Sequence, residues 1–184
     1  MRKQIFVSLA LLTLLLLLPK KIHAQEKAAG SSALLAQAEI TPTNDVRAKV
    51  LREFLLTYNS PLAQSAETFV STADKYGLDW KLVAAISGVE STFAHQLPYN
   101  SYNAWGWGIY GDNMIRFSSY DEAIETISKG LSERYIKQWG AKDVYAIGRY
   151  YAASPTWAER VTHFMDKITV FEQNYSAQTL SLSI

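Results

Sequence analysis

The chain has 184 residues, 48% of them hydrophobic and 19% charged, with 18 bases against 17 acids. That balance excludes a low-hydrophobicity disordered chain, and the lack of any Lys/Arg stripe argues against nucleic acid as a partner. With no cysteine there is no disulfide scaffold or thiolate metal site, and His23, His95 and His163 lack zinc-ligand spacing, so no metal or other cofactor is expected.

In chain order, Arg2 and Lys3 precede the apolar run "IFVSLALLTLLLLL" at residues 5–18, and a short polar stretch leads to "IHA" before Gln25. A positive start, an apolar centre and a small exit residue are the pattern of a secretory leader. Such a run makes a helix about 21 Å long, short of the roughly 30 Å hydrocarbon layer. Residues 1–24 are therefore read as a signal peptide cut after Ala24, which places the protein outside the cytoplasm, secreted or periplasmic. Pro19-Lys20-Lys21 directly after the run keeps a second reading open, an uncleaved membrane anchor through residues 5–18. Cleavage removes Arg2, Lys3, Lys20 and Lys21 and leaves 14 bases against 17 acids.

Residues 25–42, rich in Ala, Ser and Gln, read as a flexible linker, residues 43–175 as the folded domain and residues 176–184 as a loose tail. The domain reads as mainly α. Asn44 is placed to cap a helix with Val46, Val50, Phe54 and Leu55–Leu56 along one stripe. Ser60-Pro61 opens the next, which stops at Gly77. Asp79 is expected to cap a helix through Glu90. From Pro98 to Phe117, glycines and a proline punctuate aromatics, which predicts a loop with a short hairpin, an aromatic-rich lobe. Ser119-x-x-Glu122 makes a capping box for the following helix, Asp143 suits the cap of "VYAIGRYYA", and Ser154-Pro155 opens the last helix. About six helices result.

Within this frame Glu90 stands out. Leu82, Ile86 and Glu90 fall at i, i+4 and i+8, so the acid continues an inward stripe. A carboxyl held against apolar neighbours keeps its proton to higher pH, and such a group donates it to a glycosidic oxygen during sugar-bond cleavage. The bland reading is a solvated acid at a frayed helix end. The following loop weighs against it, because Tyr99, Tyr102, Trp105, Trp107 and Tyr110 interleave with glycines, Asn100 and Asn103. Flat rings and amides suit a sugar-binding cleft, although some of these rings, Trp105 first, are expected to be core.

The segments "AAISGVESTF", "YNAWGWG", "IRFSSYDEAIETISKGL" and "YYAASPTWAERV" occur in that order. Together they resemble the successive motifs of the bacterial endo-β-N-acetylglucosaminidases, autolysin-type domains of the lysozyme-like superfamily that cut peptidoglycan. They are similar also to the mannosyl-glycoprotein endo-β-N-acetylglucosaminidase-like family. The resemblance spans roughly residues 61–168. It implies a lysozyme-like helical fold with Glu90 as catalytic acid followed by Ser91. Asn103 to Gly106 matches an Asn-Leu-Phe-Gly turn, with Ala104 and Trp105 replacing its middle pair. Phe117 and Tyr120 match aromatic positions leading into the next helix, and Tyr151 matches a tyrosine facing the acid across the cleft. Trp157 stands where a second tyrosine is usual. Ser91, Asn103, Trp107, Tyr110 and Trp157 are thereby expected at the substrate.

One departure concerns the second carboxylate that family members often carry in a β-lobe. Here that lobe shrinks to "WGIYGDNMI", whose one acid, Asp112, sits in what is equally an ordinary turn. Without a second acid, water attacks from the opposite face, or the substrate's own 2-acetamido group acts as nucleophile. The expected activity is a glycoside hydrolase cutting β-1,4 links of peptidoglycan or a similar N-acetylglucosamine polymer. The alternatives are a lytic transglycosylase, in which a muramic acid hydroxyl attacks, and a non-catalytic glycan-binding or envelope scaffold module.

Overall fold

Side-chain caps set the starts of three of the helices. The computed structural model describes residues 45–109 and 113–181, the side chains of residues 179 and 180 excepted. Helix α1, Val46–Thr57, is capped by Asp45, whose Oδ1 accepts from the Arg47 amide at 2.8 Å. The expected cap, Asn44, lies outside the described residues, as do the leader, the linker and any anchor at residues 5–18. The buried face of α1 is Ala48, Val50, Leu51, Phe54 and Leu55, whereas Val46 is 56% exposed and Leu56 44%. The stripe read from the sequence was thus rotated towards solvent at both ends, because a Leu–Leu pair places only one member inward.

Ser60 caps a 3-10 turn, Pro61–Ser65, accepting from the Leu62 amide while its own hydroxyl donates to the Phe93 carbonyl at 2.9 Å. Helix α2, Ala66–Tyr76, follows and ends at Gly77, where φ is +67° and the Leu78 amide reaches back to the Ala73 carbonyl. That is the left-handed stop a glycine permits. Asp79 accepts from the Lys81 amide at 2.9 Å, so it caps the turn before α3 rather than the helix itself, which begins at Leu82.

Helix α3, Leu82–Ser91, is buried at every position from Leu82 to Gly88. A helix apolar on all sides belongs in the middle of a domain; α3 packs chiefly against the last helix. Glu90 therefore does not continue a stripe. It sits where a wholly buried helix emerges.

Beyond Ser91 the chain makes a left-handed turn, with φ of 53° at Thr92, 56° at Phe93 and 70° at Ala94. Each such residue is unfavourable by about 1–2 kcal/mol. The turn is held because it drives Phe93 back beneath the helix, fully buried, with its ring 5.0 Å from Phe164 and 5.8 Å from Phe54. The Ser91 hydroxyl accepts from the Ala94 amide at 2.9 Å and completes the cap. A Cβ at Gly88 would lie 2.7 Å from the Phe93 ring and 3.1 Å from Phe164. Gly88→Ala is expected to destabilise the fold by about 1–3 kcal/mol through overpacking, read as a lowered denaturant midpoint at unchanged slope.

Helix α4, Tyr120–Gly130, is capped by Ser119, but the box closes one residue early, with Glu122 accepting from the Ser118 amide and hydroxyl. The run then winds on as a π-helical segment, Leu131–Gln138. Helix α5, Val144–Tyr151, is capped by Asp143 at 2.7 Å. Helix α6, Trp157–Ser181, starts after the Ser154-Pro155 turn and continues through residues 176–181, which the sequence had suggested were loose.

The fold is mainly helical, and the described residues contain six α-helices and no strand. Of the stretch between Pro98 and Phe117, where a short hairpin was expected, the described residues form no strand, and residues 110–112 lie outside them; the stretch is anchored by Trp105, whose ring is fully buried and whose Nε1 donates to the Val83 carbonyl. Among the described residues no helix is long and apolar enough to cross a membrane.

Candidate active site

Three segments meet at Glu90: the end of α3, the irregular loop, and the junction of α5 with α6. Trp157, the first residue of α6, is buried, and its Nε1 donates to Glu90 Oε1 at 2.6 Å. Gly106 lies beside the other oxygen: a Cβ there would stand 3.4 Å from Oε2. At φ of +62° the position also favours glycine for its backbone. One oxygen of Glu90 is thus fixed and the other faces a stretch of backbone without a side chain.

Burial pushes the Glu90 carboxyl above its ordinary range, and the Trp157 indole and the Arg160 guanidinium each pull it partly back. Its place in the last turn of α3, at the negative end of the helix dipole, acts in the same direction as burial. Tyr151 completes the centre. Its ring stacks on Trp157 at 4.7 Å and 24°, and its hydroxyl donates to the Trp105 carbonyl at 2.7 Å. Burial and the neighbouring Glu90 charge hold the phenol well above its ordinary range, so it stays protonated at neutral pH.

A hollow of about 290 Å³ opens next to this centre, lined by Gly106, Trp107, Ile115, Tyr135, Tyr150 and Tyr151 among others. Trp107 is half-buried, 5.9 Å from Tyr151 and 5.8 Å from Tyr135 between ring centres. Its far edge lies on Gly130, where a Cβ would come within 2.5 Å. Trp107 and Arg134 also line a second hollow of about 420 Å³ along α4.

The structure brings together Glu90, Tyr151, Trp157 and Trp107. Two residues expected at the substrate are instead internal braces. Asn103 is buried, its amide donating to the carbonyls of Trp107 and Ile115 and accepting from the Trp107 amide, so its polar atoms are committed to shaping the loop. Ser91 is buried too, its hydroxyl bonded to the carbonyls of Ser87 and Ala104. Trp157 serves the acid with its N–H and offers no open ring face. Tyr102 meets Tyr120 edge-on at 5.0 Å. Tyr110 and Asp112 lie outside the described residues. Sequence reasoning missed Tyr135 and Tyr150, which stand in helical segments where an aromatic reads first as core, and Gly106, whose role rests on its closeness to Glu90.

No family model matches the chain, and no curated protein matches it in sequence.

Proposed function

We propose that this is a lysozyme-like domain of the endo-β-N-acetylglucosaminidase kind, which cleaves β-1,4 links of peptidoglycan or a similar amino-sugar polymer outside the cytoplasm. On this reading residues 1–24 direct export, with residues 5–18 as anchor if the leader stays uncut. The observation that supports it most is the Glu90 carboxyl: raised by burial, gripped at one oxygen by Trp157, and bordering through Gly106 a hollow walled by aromatic rings. A carboxyl that keeps its proton to higher pH than an ordinary glutamate is a suitable donor to a departing glycosidic oxygen.

In the step so derived, Glu90 transfers its proton to the bridging oxygen as the bond to the anomeric carbon breaks. The sugar left behind carries oxocarbenium character. Trp157 then stabilises the carboxylate that forms, since its hydrogen bond strengthens with the charge. The protonated Tyr151 fixes the Trp105 carbonyl and with it the turn at Gly106.

Among the described residues no carboxylate lines the 290 Å³ hollow itself, and Glu90 stands behind its Gly106 wall. That favours routes in which the substrate supplies the nucleophile: its acetamido group, with water later restoring the hydroxyl, or a muramic acid hydroxyl closing a 1,6-anhydro ring. The second route would make the domain a lytic transglycosylase. Digestion of purified sacculi followed by mass spectrometry separates them, because anhydro ends are lighter by one water than reducing ends. Soluble fragments with either end support glycan cleavage. Sacculi that bind the protein and stay intact would leave a glycan-binding module in its place.

A further inference from the structure

Aromatic rings continue outward from the Glu90 centre. Tyr135 lies 6.0 Å from Tyr151 and 4.9 Å from Trp139, between ring centres, and Trp139 lies 5.0 Å from Tyr150 at 42°. The series runs from the π-helical segment, through Trp139 just beyond it, to α5. It begins at the half-buried Tyr151 and ends in two open rings, Trp139 at 40% and Tyr150 at 53% exposure. Tyr150 also lines the hollow, with Arg134 beside it.

A ring placed for stability alone buries most of its area, because exposed apolar surface forfeits the gain from leaving water. Touching rings left open at the rim of a ligand hollow mark a binding surface. The chemistry of that surface is specific. Flat faces match the C–H faces of a pyranose, while the Tyr150 hydroxyl and the Arg134 guanidinium supply polar partners for its equatorial rim. The surface joins the inner site through Tyr135, so its occupant is continuous with whatever lies over Glu90.

Resting on the activity proposed above, we propose that Trp139 and Tyr150 form an outer subsite that stacks a sugar ring of the same polymer, beyond the ring at which Glu90 acts. The domain then discriminates by chain length: long oligosaccharides gain the outer contact and short ones do not.

The test uses the purified protein with N-acetylglucosamine oligomers from the disaccharide to the hexasaccharide. Initial rates are measured in the active protein, and binding by calorimetry in a Glu90→Gln background. Trp139→Ala is expected to raise KM for the hexasaccharide about tenfold at unchanged kcat, the size of one lost aromatic contact. The shortest oligomer that is cleaved should show no change, and Trp139→Phe should restore most of the loss. Tyr150→Ala, at the more exposed ring, provides a second variant whose folding is less at risk; because Tyr150 also lines the inner hollow, it is read by loss of hexasaccharide binding and not by the rate on the shortest oligomer.

Losses equal at every length, or absent at every length, would overturn the subsite, as would a hexasaccharide that fails to bind. The two readings fail separately. If no oligomer is cut yet Trp139→Ala weakens hexasaccharide binding, the subsite stands without the activity. If oligomers are cut and Trp139→Ala binds the hexasaccharide as tightly as before, the activity stands without the subsite.

Discussion

Glu90→Gln is expected to lower glycan cleavage by about 10²–10⁴-fold, the usual contribution of a positioned general acid. The variant keeps the size of the side chain and an oxygen to accept from Trp157 Nε1, so the helix end and the hollow remain in place. Release of soluble fragments from sacculi measures the loss, and calorimetry on the same preparation shows whether binding persists. Full activity in the variant would remove Glu90 from the chemistry.

The same substitution has a stability signature of determined sign. The folded state raises the Glu90 pKa through burial, so it favours the protonated form. That contribution is fully present below the ordinary glutamate pKa and is lost as pH rises through the folded value. The neutral amide escapes that loss. Glu90→Gln should therefore melt higher than the parent at neutral pH, with the difference shrinking in acid below the ordinary carboxylate range. An acid retained where it weakens the fold is the trade expected of a functional site.

Trp157→Phe is expected to lower kcat/KM by roughly tenfold to a hundredfold, the equivalent of one hydrogen bond to a charged group. The change keeps a ring against Tyr151 and removes the N–H that Glu90 Oε1 accepts at 2.6 Å. That bond favours the ionised carboxylate and lowers its pKa. Without it the pKa rises further, so the alkaline limb of the pH–rate profile, where the acid loses its proton, should move to higher pH as the maximum falls. A limb that stays in place, or moves the other way, would show that Trp157 acts only through packing. Arg160 remains in the variant and should keep the displacement moderate.

How much of this was legible in the residues alone differs between the scaffold and the site. Ser60, Ser119, Asp143 and Gly77 mark helix boundaries because capping joins a side chain, or a left-handed turn, to backbone groups within a few residues. The exceptions are local as well. Asp79 caps a turn one step early, and Glu122 reaches Ser118 instead of Ser119. The length of α6 escaped notice because its last turns are too polar to show a buried face.

The site behaves otherwise. That Glu90 ends an apolar helix was legible in the sequence, as was the place of Trp107 among glycines. Ser91 and Asn103 were expected at the substrate from the resemblance, and Asn103 also because amides suit sugar hydroxyls, yet backbone carbonyls and amides claim both.

The sequence by itself determined a mainly helical domain and several of its helix boundaries, since each rests on interactions between near neighbours in the chain, and it set an acid, Glu90, at the end of an apolar helix. Only the tertiary structure decided what surrounds that acid. The indole that grips Glu90 is 67 residues away, and the phenol that holds the Trp105 carbonyl is 46 residues from it. Such pairings depend on how helices pack, through burial and ring contacts summed over the whole core, and no local pattern encodes them.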